Sequence, residues 1–227
     1  MWLFLSLLTS FPSNICSPQI WQAVVEQVDN CDSTNWQETK YQVSMLSWLL
    51  RNAIADKNLR LAEFLLQNGA DVDTKNERGQ TLLYGEVEKA NNLEIVKLLV
   101  SYGADVNAID NYRIPIISRA VVSRDINIIR FLIDNGADIE SAESPDKGSQ
   151  YSSIDLLYYP IIEGRLDIVK LLLENGAKAS LEDRPGDVLS TTVARGNLHM
   201  AQFLLEYGVD VNARRHRGQT ALFVSKT

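Results

Sequence analysis

One phrase recurs five times along this chain: an apolar helical pattern that runs into a glycine and then a short turn. "FLLQNGADVD" stands at 64–73, "KLLVSYGADVN" at 97–107, "FLIDNGADIE" at 131–140, "LLLENGAKAS" at 171–180 and "FLLEYGVDVN" at 203–212. Its glycines are Gly69, Gly103, Gly136, Gly176 and Gly208, at intervals of 34, 33, 40 and 32 residues. A near-constant period of this size marks supersecondary units that stack, because one such unit cannot bury its apolar face alone.

Each phrase begins as a helix. Leu93, Val96, Leu98, Leu99 and Val100 form one wide apolar face, with Glu94 and Lys97 outside it. The glycine predicts the helix end, because the position after the last helical residue often needs a left-handed backbone. The Val-Asn or Val-Asp that follows suits one arm of a tight hairpin turn. Asp71, Asp105 and Asp138 recur in that turn, which points to hairpin hydrogen bonding rather than acid–base chemistry.

A first helix precedes each of these second helices. Thr81 stands where an N-cap is wanted in "TLLYGEVEKANN", Asp155 does so in "DLLYYPIIEG" and Asp187 in "DVLSTTVARG". Pro115 falls near the first helical position of "PIISRAVVSRD", where its missing N–H is harmless. "WLLRNAIADKN" supplies the first helix of the first unit without a good cap. The spacing predicts turns near 70–80, 104–114, 137–153, 177–187 and 209–219.

These residues resemble the ankyrin-repeat family, whose phrase is roughly G-x-T-P-L-H followed by G-H-L-E-I-V-K-L-L-L-x-x-G-A-D-V-N-A. "NNLEIVKLLVSYGADVNA" at 91–108 matches the second half nearly residue for residue, and "GRLDIVKLLLENGA" at 164–177 is close. The resemblance extends over residues 45–227. It implies an all-α ankyrin-repeat solenoid of stacked helix-turn-helix units joined by short β-hairpin turns, with five repeats and a C-terminal half repeat. The opening half departs from the family, reading "TLLY", "DLLY" and "TALF" in place of T-P-L-H. Tyr84, Tyr158 and Phe223 in the last slot are expected to pack rather than bind a ligand.

Residues 18–44 are expected to cap the stack, with Ser17 and Pro18 opening a helix and Ile20, Val24, Val25 and Val28 on one face. Residues 1–17 form an apolar leader. Its run of about twelve apolar residues is too short to span a bilayer of roughly 30 Å. No Lys or Arg occurs before Lys40, and no clean small-residue cleavage site follows. Two readings stay open: a signal peptide, which implies an exported or periplasmic protein, and a buried N-terminal segment of a cytoplasmic one.

Chemistry is sparse. A hydrolase triad needs a base, and only His199 and His216 are available; no serine sits in a glycine elbow and no histidine pair has metal spacing. The two cysteines, Cys16 and Cys31, write no zinc site. A net charge of −7, with 29 acids against 22 bases, argues against a general nucleic-acid binder. The chain is therefore expected to be no enzyme, to use no cofactor and to bind another protein, without an integral membrane span.

The resemblance places such binding on hairpin tips and first helices. The candidate contacts are Tyr112 and Arg113 in the tip "DNYR", where Arg113 replaces the usual turn glycine, and Arg214, Arg215, His216 and Arg217 in "ARRHRGQ". Tyr151 belongs to the set from the long turn "SAESPDKGSQYSS", which holds the excess of the 40-residue interval, and Arg184 from the turn after it. Tyr and Arg are enriched at binding hot spots. Two alternatives stand beside a general interaction module. One is a stoichiometric inhibitor or immunity-type protein of an exported toxin or enzyme. The other is an architectural subunit whose stack continues into another chain.

Overall fold

The computed structural model describes residues 38–90, 92–139, 156–177, 185–214 and 218–224; in 38–45, 185–187 and 224 it describes the backbone alone. The leader, most of the expected cap and the long turn around Tyr151 lie outside these residues. The described chain is helical throughout. Its helices are α1 (Glu38–Ala55), α2 (Leu59–Gln67), α3 (Leu82–Lys89), α4 (Leu93–Ser101), α5 (Ile116–Ser123), α6 (Ile126–Asp134), α7 (Tyr158–Glu163), α8 (Leu166–Glu174), α9 (Pro185–Ala194), α10 (Leu198–Glu206) and α11 (Ala221–Val224). Among the described residues no strand forms, and one antiparallel bridge joins Ile109 to Pro115. This is the all-α repeat solenoid implied by the sequence.

The second helices end as the repeated phrase predicts. Gly103 has φ +86°; its N–H donates to Val100 O at 2.9 Å, and the next residue, Ala104, donates to Leu99 O at 3.1 Å. This paired pattern satisfies two carbonyls that a helix end otherwise leaves open. The same two bonds follow α2, α6, α8 and α10. At the other end, Asn58, Asp125 and Asn197 cap α2, α6 and α10 with side-chain oxygens that accept backbone N–H groups of the first turn.

The chain divides into two compact units. The first contains α1, α2, the start of α3 and Glu94–Asp105 of α4 and its turn. Here α1 packs against α2. α1 begins at Glu38, ahead of the Trp48 start that the repeat pattern suggests, because "ETKYQVSMLS" contains no Gly or Pro to stop it. Leu50, Ala53 and Leu65 are fully buried. In the turn, Asp71 Oδ1 accepts the N–H of Asp73, and Asp73 Oδ1 accepts that of Asp105, each at 3.0 Å.

The second unit holds the remainder, including Arg78–Gln80 and Tyr84–Leu93. First helices lie against first helices, α7 between α5 and α9, and second helices against second, α6 beside α8. Ile128, Ile129 and Leu132 of α6 and Val169 and Leu172 of α8 are buried. Each such side chain contributes about 2 kcal/mol through burial. Asn107 spans successive turns: its Oδ1 accepts the Asp138 N–H at 2.7 Å and its Nδ2 donates to Gly136 O at 3.1 Å.

Three expected helix starts shift, each at a proline. Asp187 lies inside the first turn of α9 because Pro185 opens that helix. α7 begins at Tyr158, later than an Asp155 cap predicts, and this keeps Pro160 in the first turn, where no N–H is required. Pro115 is the N-cap of α5 rather than its first residue, with an extended backbone at ψ 150°. Thr81 directly precedes α3, as expected. Tyr84 is buried and Tyr158 half-buried, whereas Phe223 is 56% exposed, so packing in that slot does not extend to α11.

Candidate partner-binding tip

The segment Asp110–Arg113 closes the hairpin between α4 and α5. Asp110 N–H donates to Ile114 O at 3.2 Å, and Arg113 N–H donates back to Asp110 O at 2.9 Å. The Asp110 side chain makes the turn tight: its Oδ1 accepts the N–H groups of both Tyr112 and Ile114 at 2.9 Å. An aspartate that bonds the backbone two residues on is a standard turn device. Here the same carboxylate also fastens the residue four places away.

Asp110 is only 5% exposed. A buried carboxylate needs donors on both oxygens. Oδ2 receives the Tyr84 hydroxyl at 3.0 Å, and Arg119 Nη2 lies 3.9 Å away. Arg119 Nε donates to the Tyr84 oxygen at 3.0 Å, and its Nη1 is 4.0 Å from Glu88 Oε1. The phenol thus both donates and accepts. Burial pushes the Tyr84 pKa well above the ordinary phenol value, with the Arg119 hydrogen bond opposing it, so the hydroxyl remains a donor at neutral pH.

Above this network the tip meets its neighbour. Asn111 N–H donates to Arg78 O at 2.9 Å. Gly79 is required at that approach: a Cβ there would stand 2.2 Å from Asn111 Oδ1, and its φ is +73°. Arg78, Asn111, Tyr112 and Arg113 are exposed at this edge, with Tyr112 at 54%.

Arg113 has φ +62°, in the left-handed region, while Gly79 and Gly218 hold φ +73° and +74° in the corresponding "GQ" positions of the neighbouring and last tips. The absence of glycine at Arg113 is therefore felt by the backbone. A non-glycine residue there costs roughly 1–2 kcal/mol.

Of the other expected contacts, one is described. Arg214 is exposed in the turn between α10 and α11. Tyr151, Arg184, Arg215, His216 and Arg217 lie outside the described residues. Leu222 and Phe223, on α11, are 68% and 56% exposed. His199 is exposed on α10, and among the described residues no group of His, Cys, Asp and Glu could hold a metal ion. No described helix is long and apolar enough to cross a membrane.

The sequence singles out Tyr112 and Arg113 as candidates, but not Asp110 and Arg119 beneath them, nor the polar contacts of Tyr84, which it marks only for packing. The available signal was the Tyr in a slot where the family carries His, with an arginine 35 residues on, close to one repeat period.

A family model for ankyrin repeats in three copies matches residues 50–143 and 157–225. Among curated relatives, ankyrin repeat protein FPV244 of fowlpox virus is 37% identical over 91 residues, 40% of this chain and 14% of that protein. Fowlpox FPV014 is 30% identical over 65% of this chain and 32% of its own length. The mouse B-cell lymphoma 3 protein homolog is 28% identical over 76% of this chain and 39% of its own. The chain thus spans well under half the length of these relatives. Among solved structures, a chain from the complex of the Bd0816 predatory endopeptidase of Bdellovibrio bacteriovorus with immunity protein Bd3460 superposes with TM-score 0.60. It is 24% identical and covers 78% of this chain and 90% of the other.

Proposed function

The chain belongs to the ankyrin-repeat family, and from that premise we propose that it binds a protein partner through the Asp110–Arg113 tip and adjoining tips of the second unit. Ankyrin repeats are generally non-catalytic modules that bind other proteins. The observation that carries the finer reading is Arg113 at φ +62°, beside an exposed Tyr112. Strained backbone at a surface turn is a pointer to function, because glycine would relax it. Tyr and Arg supply large, amphipathic contact groups of the kind that dominate interface energetics. Arg214, with Arg215, His216 and Arg217 beside it in sequence, is the second contact we propose; it precedes α11, where Leu222 and Phe223 are exposed. Tyr151 and Arg184 join the set on sequence grounds.

The test is to score Tyr112→Ala and Arg113→Gly separately for partner affinity and for unfolding midpoint. We expect the dissociation constant to rise about ten-fold or more while the fold is retained. Unchanged affinity in both variants, with the fold intact, places the contact elsewhere.

A second reading is a stoichiometric inhibitor of an exported enzyme. It is supported by the structural neighbour, whose complex joins an endopeptidase to an immunity protein. On that reading the purified partner has an activity of its own that vanishes at a one-to-one ratio. A partner whose activity persists under saturation retires it.

A further inference from the structure

We infer that Tyr84 is a positioning residue for the Asp110–Arg113 tip, its hydroxyl fixing the Asp110 carboxylate that in turn holds the tip backbone. The proposal deepens the binding role assigned to that tip, but its physical claim stands apart from any partner.

The connection is continuous from Arg119 to the tip backbone. Arg119 Nε donates to Tyr84 Oη at 3.0 Å, and Tyr84 Oη donates to Asp110 Oδ2 at 3.0 Å. Asp110 Oδ1 accepts from the N–H groups of Tyr112 and Ile114, each at 2.9 Å. These two residues bracket Arg113, whose φ of +62° is unfavourable for an L side chain. Something must over-determine that conformation for it to persist. Asp110 does so only while its carboxylate stays in place, and Tyr84 supplies the short hydrogen bond to the oxygen that faces the interior. Without it, that oxygen keeps Arg119, at 3.9 Å, among the described residues. The direct tip bonds would then have to hold a carboxylate that has lost its inner anchor.

The next first helix provides a contrast within the same molecule. Tyr84 is the third residue of α3, and Ser118 is the third residue of α5. Ser118 is 1% exposed, and among the described residues its hydroxyl has no hydrogen-bond partner. In α5 this slot is therefore filled by a short side chain that makes no relay of the Tyr84 kind to a described residue.

The experiment uses the whole chain and reads amide hydrogen exchange residue by residue. The variants are Tyr84→Phe, which keeps the ring and removes the oxygen, Arg119→Met, the pair together, and Ser118→Ala as control. We expect Tyr84→Phe to speed exchange at Tyr112 and Ile114 by about ten-fold relative to amides of α6 and α8, equal to losing about one hydrogen bond of local protection. Arg119→Met should act in the same direction, the double variant should fall short of additive, and Ser118→Ala should leave the tip unchanged. Wild-type exchange at Tyr112 and Ile114 in Tyr84→Phe, or a uniform change across all helices, overturns the inference and leaves Tyr84 a packing residue. If Tyr84→Phe does not fold, Arg119→Met decides alone, since it leaves Tyr84 in place: wild-type tip exchange there is equally fatal. Faster tip exchange with unchanged partner affinity would leave the positioning role standing and remove the binding role from the tip.

Discussion

The Tyr84 hydroxyl lies 3.0 Å from the carboxylate of Asp110, a residue 26 positions further along the chain and almost fully buried. That carboxylate serves four polar neighbours at once: two backbone amides, one phenol and, at longer range, one guanidinium. Replacing Asp110 by Ala removes the acceptor of three close donors, two of whose bonds are buried. We expect a loss of roughly 2–4 kcal/mol in unfolding free energy, measured by urea titration, because each unsatisfied group carries its desolvation penalty. A loss below about 0.5 kcal/mol, the size of an ordinary surface substitution, would mean that water replaces the carboxylate and the network is incidental.

Arg113→Gly should raise stability. The substitution removes the left-handed penalty at φ +62° and adds some unfolded-chain entropy, for a net gain of up to about 1 kcal/mol. The expected signature is a higher unfolding midpoint together with weaker partner binding. Lower stability would show that the Arg113 side chain contributes more to the fold than its backbone strain costs.

Two glycines with similar φ should respond differently. Gly103 has nothing within 4 Å of an added Cβ, so Gly103→Ala meets only the conformational penalty of roughly 1 kcal/mol, and Gly103→Val roughly 1–2. Gly79→Ala meets the same penalty and a clash with Asn111 Oδ1 at 2.2 Å. Thermal or urea unfolding should therefore rank Gly79→Ala as the more damaging of the two alanine variants. Equal losses would mean that Asn111 swings aside freely and that the two tips are not tightly docked.

How far the sequence alone reaches is visible in these residues. The helix ends were legible because one glycine per phrase repeats at near-constant spacing, and a left-handed stop is a local property. The starts were less legible where proline and aspartate competed, as at Pro185 and Asp187, because proline's missing N–H decides the first turn. Arg113 could be singled out because a glycine was missing from a pattern. The Tyr84–Asp110–Arg119 network could not, since its bonds join residues 26 and 35 positions apart and depend on side-chain direction inside the fold.

Asp73→Asn should stabilise the first unit. Asp73 accepts the Asp105 N–H, but a carboxylate has nothing to donate to Gly103 O, the counterpart of the carbonyl that Asn107 Nδ2 engages at Gly136. The amide supplies that donor. A gain of about 0.5–1 kcal/mol in unfolding free energy is expected. No gain would show that the two turns differ in their carbonyl geometry.

The proposed partner contact is the Asp110–Arg113 tip. A photo-reactive phenylalanine analogue in place of Tyr112, with the same analogue at the exposed Arg130 on α6 as control, tests it directly. After irradiation with the native-source extract, the account predicts one discrete adduct from position 112, carrying the same protein in every repeat, lost on adding Arg113→Gly, and absent from position 130. Adducts from position 130 with none from 112, the fold being intact at both, would contradict it.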